Sequence, residues 1–180
     1  MRDDLPNFIR RVSLKCLNEQ TRINVDACAP PSDTDPEHKW QSFIVIGAEG
    51  ITVDFRCFYS DEHLWPKVAA ILGLAPDQCN QELVGSVMME YCNHVGGFIK
   101  QGLESNGLVP SMGLPIYTVS SVDFEFRKAE EKVFDDRWEV RWPDGAIVCH
   151  VRVTTSHSDT LKNILVEERD LTDSGELMFL

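Results

Sequence analysis

No run in the 180-residue sequence approaches 18 consecutive apolar residues, so no membrane-spanning helix is expected. The first residues, Met1-Arg2-Asp3-Asp4-Leu5-Pro6, lack the apolar core of a signal peptide. Six cysteines are present: Cys16, Cys28, Cys57, Cys79, Cys92 and Cys149. None forms a C-x-x-C pair and no histidine stands at metal spacing from one, so no metal site is expected. With no export signal, free thiols in a reducing cytoplasm are the expectation. Cationic charge is also scarce. Lys and Arg number 17 against 29 Asp and Glu, a net charge of -12, which argues against nucleic acid or an anionic membrane as the main partner. There is no internal repeat and no glycine-rich phosphate loop.

What remains is the composition of an ordinary globular protein, 43% hydrophobic and 26% charged. The length suits one domain with its own core. Residues 5–20 carry Leu5, Phe8, Ile9, Val12, Leu14, Cys16 and Leu17 as the buried side of a first helix, with Pro6 in its first turn. Residues 26–39, with three prolines, read as a loop. Ser42–Ile46 and Ile51–Phe58 make a hairpin around Gly47-Ala48-Glu49-Gly50, with Ile51, Val53, Phe55 and Cys57 facing inward. Ser60 is the N-cap of a second helix, with Leu64, Val68, Ile71 and Leu72 as its apolar side and Gly73 and Pro76 ending it.

The longest helix spans residues 81–106. At about 100° per residue, Val84, Val87, Met88, Tyr91, Cys92, Val95, Phe98, Ile99 and Leu103 gather on one side. Glu82, Ser86, Glu90, Asn93, His94, Gly97, Lys100 and Gln101 gather on the other. Asn106-Gly107 supplies a left-handed stop. Asn93 and the pair Gly96-Gly97 oppose helix propensity, at about 1 kcal/mol for each glycine. Residues kept in a helix at that cost serve close packing or a function.

Strands follow at Leu114–Val119, Val122–Phe126, Val133–Trp142 and Ala146–Thr155, the last two joined at Pro143-Asp144-Gly145. Trp138, Val140 and Trp142 share one strand face. Ile147, Cys149, Val151 and Val153 make the core side of the next strand, with Val148, His150 and Arg152 opposite. Cys57, Cys92 and Cys149 fall in apolar patterns and read as small core residues. Leu161 and Ile164–Val166 suggest a short helix in an appendage, residues 158–180, packed on a domain of residues 1–157.

Glu90-x-x-Asn93 on a helix, then Gly97 and Lys100, then Met112-Gly113-Leu114-Pro115 at a strand start, resembles the CheX branch of the CheC/CheX/FliY chemotaxis phosphatases. The likeness is tightest over residues 81–115, and a looser one in element order covers about 41–155. CheC-type members carry two such motifs and CheX-type members one; a single copy occurs here. The resemblance implies an α+β fold, an antiparallel sheet packed by the long helix and one or two others. It implies a homodimer that dephosphorylates the aspartyl phosphate of a CheY-like response regulator. Asn93 would orient the attacking water and Glu90 would pair with a lysine of the regulator, with Ser86, His94, Gly97 and Lys100 facing the partner. No cofactor of its own is implied, since Mg²⁺ belongs to the regulator. The alternative is a non-catalytic receiver-binding or signalling module of the same fold. Helix geometry counts against a cysteine hydrolase built on Cys92 and His94, because residues two apart point away from each other, and Cys92 on the apolar arc reads as a buried thiol.

Overall fold

Ile51–Tyr59, the alternating run, lies deep in the sheet as strand β4, paired along its whole length with β3 (Trp40–Ala48) on one side. On its other side runs β8 (Gly145–Thr155), which pairs with β7 (Glu131–Trp142) through the expected Pro143-Asp144-Gly145 hairpin. The computed structural model describes residues 2–21, 27–29, 38–121, 131–155 and 164–167. Its main sheet runs β2-β7-β8-β4-β3-β5, where β2 is Ala27–Ala29 and β5 is Ser111–Met112; β6 (Ile116–Val119) also pairs with β3. Every pairing is antiparallel. A second, two-stranded sheet joins β1 (Arg2–Asp4) to β9 (Leu165–Glu167). Among the described residues three α-helices complete the fold: α1 (Leu5–Thr21), α2 (Asp61–Leu72) and α3 (Gln81–Glu104). This is the expected α+β architecture.

The apolar faces read from the sequence meet in one core, except on α2, where Leu64 and Val68 join it together with Ala69 while the expected Leu72 is exposed and Ile71 only half-buried. Leu5, Phe8, Ile9, Val12, Cys16 and Leu17 of α1 are buried, with Leu14 packed at the margin. Ile51, Val53, Phe55 and Cys57 meet Trp138, Val140 and Trp142 and the inward face of β8 in the same cluster. Burying side chains of this size contributes about 1.5–3 kcal/mol each before the entropy cost of folding is set against it. Arg10 fastens α1 to β7: its Nε and Nη2 donate to Asp136 at 2.6 and 2.8 Å, and its guanidinium lies 5.5 Å over the Trp138 ring.

The helix ends follow local chemistry. Asn80 caps α3, its side-chain oxygen accepting from Leu83 N–H at 3.0 Å. Gly107 adopts φ +78°, the expected left-handed stop, although the helix itself closes at Glu104. Ser60 occupies the N-cap position of α2 without a capping bond from its side chain, and Gly73 ends that helix at φ +67°.

Three expectations need correction, and one short strand adds to them. Ala27–Ala29 is a strand, not loop, because it pairs with Glu139–Arg141 of β7. Leu165–Glu167 is extended, not helical, because it pairs with β1. Ser111–Met112 forms a two-residue strand that composition does not signal. The strand expected from Leu114 begins at Ile116. The strand expected at Val122–Phe126 lies outside the described residues.

Cys16, Cys57, Cys79, Cys92 and Cys149 are buried free thiols. Burial pushes Cys16 from the ordinary 9.0 up to about 12. It holds Cys57 well above 9.0, with a hydrogen bond to Cys149 adding to the effect, and does the same for Cys92. The unfolded chain therefore releases these protons before the folded one does, and stability falls as pH rises. This contribution is intact below pH 9 and, for Cys16, is lost progressively between 9.0 and about 12. Denaturant titrations at pH 7.5, 9 and 10.5 are expected to give a falling midpoint. In parallel, Cys16, Cys57 and Cys92 should resist alkylation at pH 8 until the chain unfolds, which mass spectrometry of the labelled protein reads directly.

Candidate functional site

Helix α3 packs its apolar side against β3, α1 and α2. Val84, Met88, Tyr91, Cys92, Val95, Phe98, Ile99 and Leu103 are buried, and Val87 packs at the edge of the core. Two glycines let the helix approach the sheet. A Cβ on Gly85 would stand 2.9 Å from three ring atoms of Tyr117. One on Gly96 would stand 3.0 Å from Ile44 Cδ1 and 3.1 Å from Met112 Sδ. Gly97 differs, since a Cβ there would meet nothing within 4 Å. Of the paired glycines, the first serves packing and the second faces open space.

The packed stripe turns the polar residues outward. Ser86 and Glu90 are exposed, while Asn93, His94, Gly97 and Lys100 are partly exposed. Glu90 and Asn93 lie one turn apart, as their spacing predicts. Among the described residues no hydrogen bond ties down the Asn93 carboxamide. Glu90 is engaged: its Oε1 lies 2.7 Å from His94 Nε2, with the two side chains 50% and 21% exposed. Lys100 leans toward Glu104 at 3.7 Å, which offsets part of its charge. Ser86 Oγ donates to the Glu82 carbonyl at 2.8 Å. The face thus presents an unengaged amide beside a carboxylate held in an exposed pair, with a gap in side-chain cover at Gly97.

Cys92 takes no part in this face. It is fully buried, and desolvation raises its thiol well above the usual range, so it is no nucleophile. Trp138 and Trp142 are core residues rather than a ligand platform. His150, for which the sequence suggests no partner, lies 2.7 Å from Asp135 Oδ1 on the sheet face opposite the core side of β8. Only the pairing of β7 with β8 reveals that contact, as Asp135 stands opposite Arg152 and Arg137 opposite His150. His157 lies outside the described residues.

No family model matches the sequence, and no curated protein does so either. Solved structures do match. The CheX of a CheX–CheY–BeF3–Mg²⁺ complex from Borrelia burgdorferi is 13% identical, superposes with a TM-score of 0.66, and aligns over 83% of this chain and 97% of its own. A CheC-like superfamily protein from Shewanella sp. PV-4 is 15% identical with a TM-score of 0.64, over 85% and 99%. The chemotaxis protein CheX of Vibrio vulnificus is 13% identical with a TM-score of 0.64, over 84% and 97%. The chain therefore has the CheC/CheX-like fold, and the resemblance read from residues 81–115 agrees with it. Among the described residues no helix is long and apolar enough to cross a membrane.

The two kinds of glycine separate by stability. Gly85→Ala forces a methyl group into the Tyr117 ring, and overpacking of that kind costs about 1–3 kcal/mol. Gly97→Ala meets no atom and gains about 1 kcal/mol of helix propensity. Urea denaturation is expected to lower the midpoint for the first variant and raise it for the second.

Proposed function

We propose that this protein is a CheX-like phosphatase that hydrolyses the aspartyl phosphate of a CheY-like response regulator in chemotaxis or two-component signalling. The observation that carries the reading is the unengaged carboxamide of Asn93, one helical turn from Glu90 on the outer face of α3. Hydrolysis of an acyl phosphate needs a water held in line with phosphorus and little covalent help from the protein, because the transition state is loose. A neutral amide suffices for that task, as Gln does in GTPases. Asn93 would orient the water; Glu90 would exchange His94 for a lysine of the receiver as the surfaces meet. The open position at Gly97 leaves room for a loop of the partner to approach. The receiver supplies the phosphorylated aspartate and its Mg²⁺, so the chain needs no cofactor of its own. A cytoplasmic location fits both the free thiols and such a partner.

We further infer a homodimer formed through the β5–β6 edge. Among the described residues β6 pairs with β3 alone and exposes Ile116 and Val119, and Leu114 just before it is 86% exposed. An apolar edge strand of this kind favours association. Sedimentation equilibrium is expected to give twice the chain mass, and Ile116→Lys to give the monomer with its circular dichroism unchanged. A wild-type monomer at tens of micromolar would reject the dimer.

The phosphatase itself is tested by loading a receiver with acetyl phosphate, removing the donor and following dephosphorylation. The wild-type chain should speed decay. Asn93→Ala should abolish that effect, a loss of at least about a hundredfold for one catalytic polar group. Glu90→Ala should raise the half-saturating receiver concentration by about tenfold, the equivalent of about 1.4 kcal/mol. Full activity in Asn93→Ala would reject the mechanism. Unchanged decay with several receivers, accompanied by binding, would leave the non-catalytic module.

A further inference from the structure

Glu90 already has a partner before any receiver arrives. His94 Nε2 stands 2.7 Å from Glu90 Oε1, the two side chains being 21% and 50% exposed. A carboxylate only accepts, so Nε2 carries the hydrogen in this contact. The order suits a helix, with the acid four residues N-terminal to the group that can carry positive charge. Around the helix axis Glu90 lies between the other two groups. At about 100° per residue, His94 falls about 40° to one side of it and Asn93 about 60° to the other. His94 therefore touches Glu90, while adjacent residues such as Asn93 and His94 do not face each other.

Imidazole is the side chain whose charge ordinarily changes between pH 5 and 8. Once protonated it is a cation, and its hydrogen bond to a carboxylate is roughly twice as strong as a neutral one. The elements packed on α3 bring other charges. On the α1 side, Lys15 Nζ lies 5.1 Å from the Phe98 ring, one turn beyond His94, and 3.7 Å from Glu19. Arg11 is also on α1, and Arg10 is bound to Asp136. On α2, Asp61 accepts from Trp40 at 3.0 Å, Glu62 is exposed and Lys67 pairs with Asp144. On α3 itself Glu82 is exposed and Lys100 leans toward Glu104. The sheet meets the helix with Ile44, Met112 and Tyr117. Carboxylate, ammonium and guanidinium groups ordinarily keep one charge from pH 5 to 8. Among the described side chains of these elements, His94 is the group of the type that titrates in that window.

We propose that His94 is an acid-operated competitor of the receiver for Glu90, so that docking weakens as pH falls; this rests on the docking role given to Glu90 above. Protonated, His94 holds the carboxylate and meets the incoming lysine with a like charge. Neutral, it gives way. Lysine and imidazolium compete for the same oxygens, so docking releases a proton and strengthens as pH rises. Asn93 lies outside the contact, and the effect therefore falls on docking rather than on turnover. An exposed pair at this spacing is worth about twofold in an equilibrium. A like charge about 4 Å from an incoming cation adds up to about fivefold.

Calorimetry of the full chain with a receiver carrying beryllofluoride and Mg²⁺, a stable mimic of the phosphoryl group, reads docking without turnover. Dissociation constants are compared at about pH 6 and about pH 8. Titration of the receiver itself is common to wild type and variants and cancels between them. The wild-type constant is expected to rise about threefold to tenfold more than that of His94→Gln as pH falls. His94→Arg, a permanent cation, should bind at the higher pH as weakly as the wild type does at the lower. Turnover at saturating phosphorylated receiver should be equal in wild type and His94→Gln at either pH. The proposal is overturned, with Glu90 docking left in place, by equal pH ratios in wild type and His94→Gln. Tight binding by His94→Arg at the higher pH, or a difference confined to turnover, overturns it as well. Binding by none of the three at either pH rejects receiver docking itself, and the proposal with it.

Discussion

The close approach of α3 to the sheet is the constraint on which the rest of the structure hangs. Gly85 and Gly96 are eleven residues apart, about three turns, and so fall within about 20° of each other around the helix. Both are the contact points at which a side chain would collide, one with Tyr117 and one with Ile44 and Met112. Two fixed points on one stripe set the helix rotation as well as its height. Tyr91 is then directed toward α1, where its hydroxyl donates to the Ser13 carbonyl at 3.2 Å. Asn93, about 80° round from the Gly85 stripe, comes to the flank, neither buried nor fully exposed. The position of the candidate site is therefore a consequence of where two hydrogen atoms replace side chains.

The sheet beneath is buried on its helix face and carries charge on the other. Along β4, Ile51, Val53, Phe55 and Cys57 join the core while Asp54 and Arg56 lie on the opposite side, both nearly inaccessible. Taking an ion pair out of water costs several kcal/mol per ion, and only close geometry returns it. The bonds of 2.7 to 3.1 Å between Arg56 and Asp54 satisfy that condition. A buried pair of this kind adds little net stability, but it penalises any one-residue slip of β4. Such a slip would carry both charges into the core. Two faces thus hold the same register, one through apolar packing and the other through the cost of misplacing charge.

Periodicity made much of this legible. The helix over residues 81–104, the Ile51 strand and the Pro143-Asp144-Gly145 hairpin each carry a long pattern or a strong turn signal, and each lies where the pattern puts it. Short strands were not legible for a physical reason. Ala27–Ala29 and Leu165–Glu167 are extended because a partner strand accepts their backbone bonds, and three residues cannot carry a period. The glycines were half legible. Gly96 and Gly97 stand out together in sequence, yet only Gly96 is filled by neighbours, and the equally tight Gly85 has no adjacent irregularity to mark it. The row of Arg56, His150 and Arg137 was illegible altogether, since it forms through register across three strands.

The fold by itself does not assign chemistry, because one architecture can host several functions. The weight falls on residues that the fold does not need. Asn in mid-helix gives up about half a kcal/mol relative to Ala, and a glycine facing open space gives up about 1 kcal/mol. Gly85 and Gly96 recover their cost in packing density; Gly97 and Asn93 recover nothing within the monomer, for no neighbour fills the one and no described partner bonds the other. Local choices that disagree with their own element are expected at functional positions and are otherwise removed easily by mutation. The two such positions on α3 lie about one turn apart on the same flank, beside Glu90. Stability deficits that coincide with an unengaged amide and an exposed carboxylate suit the partner-completed hydrolytic site proposed here, and packing within the monomer gives no reason for them.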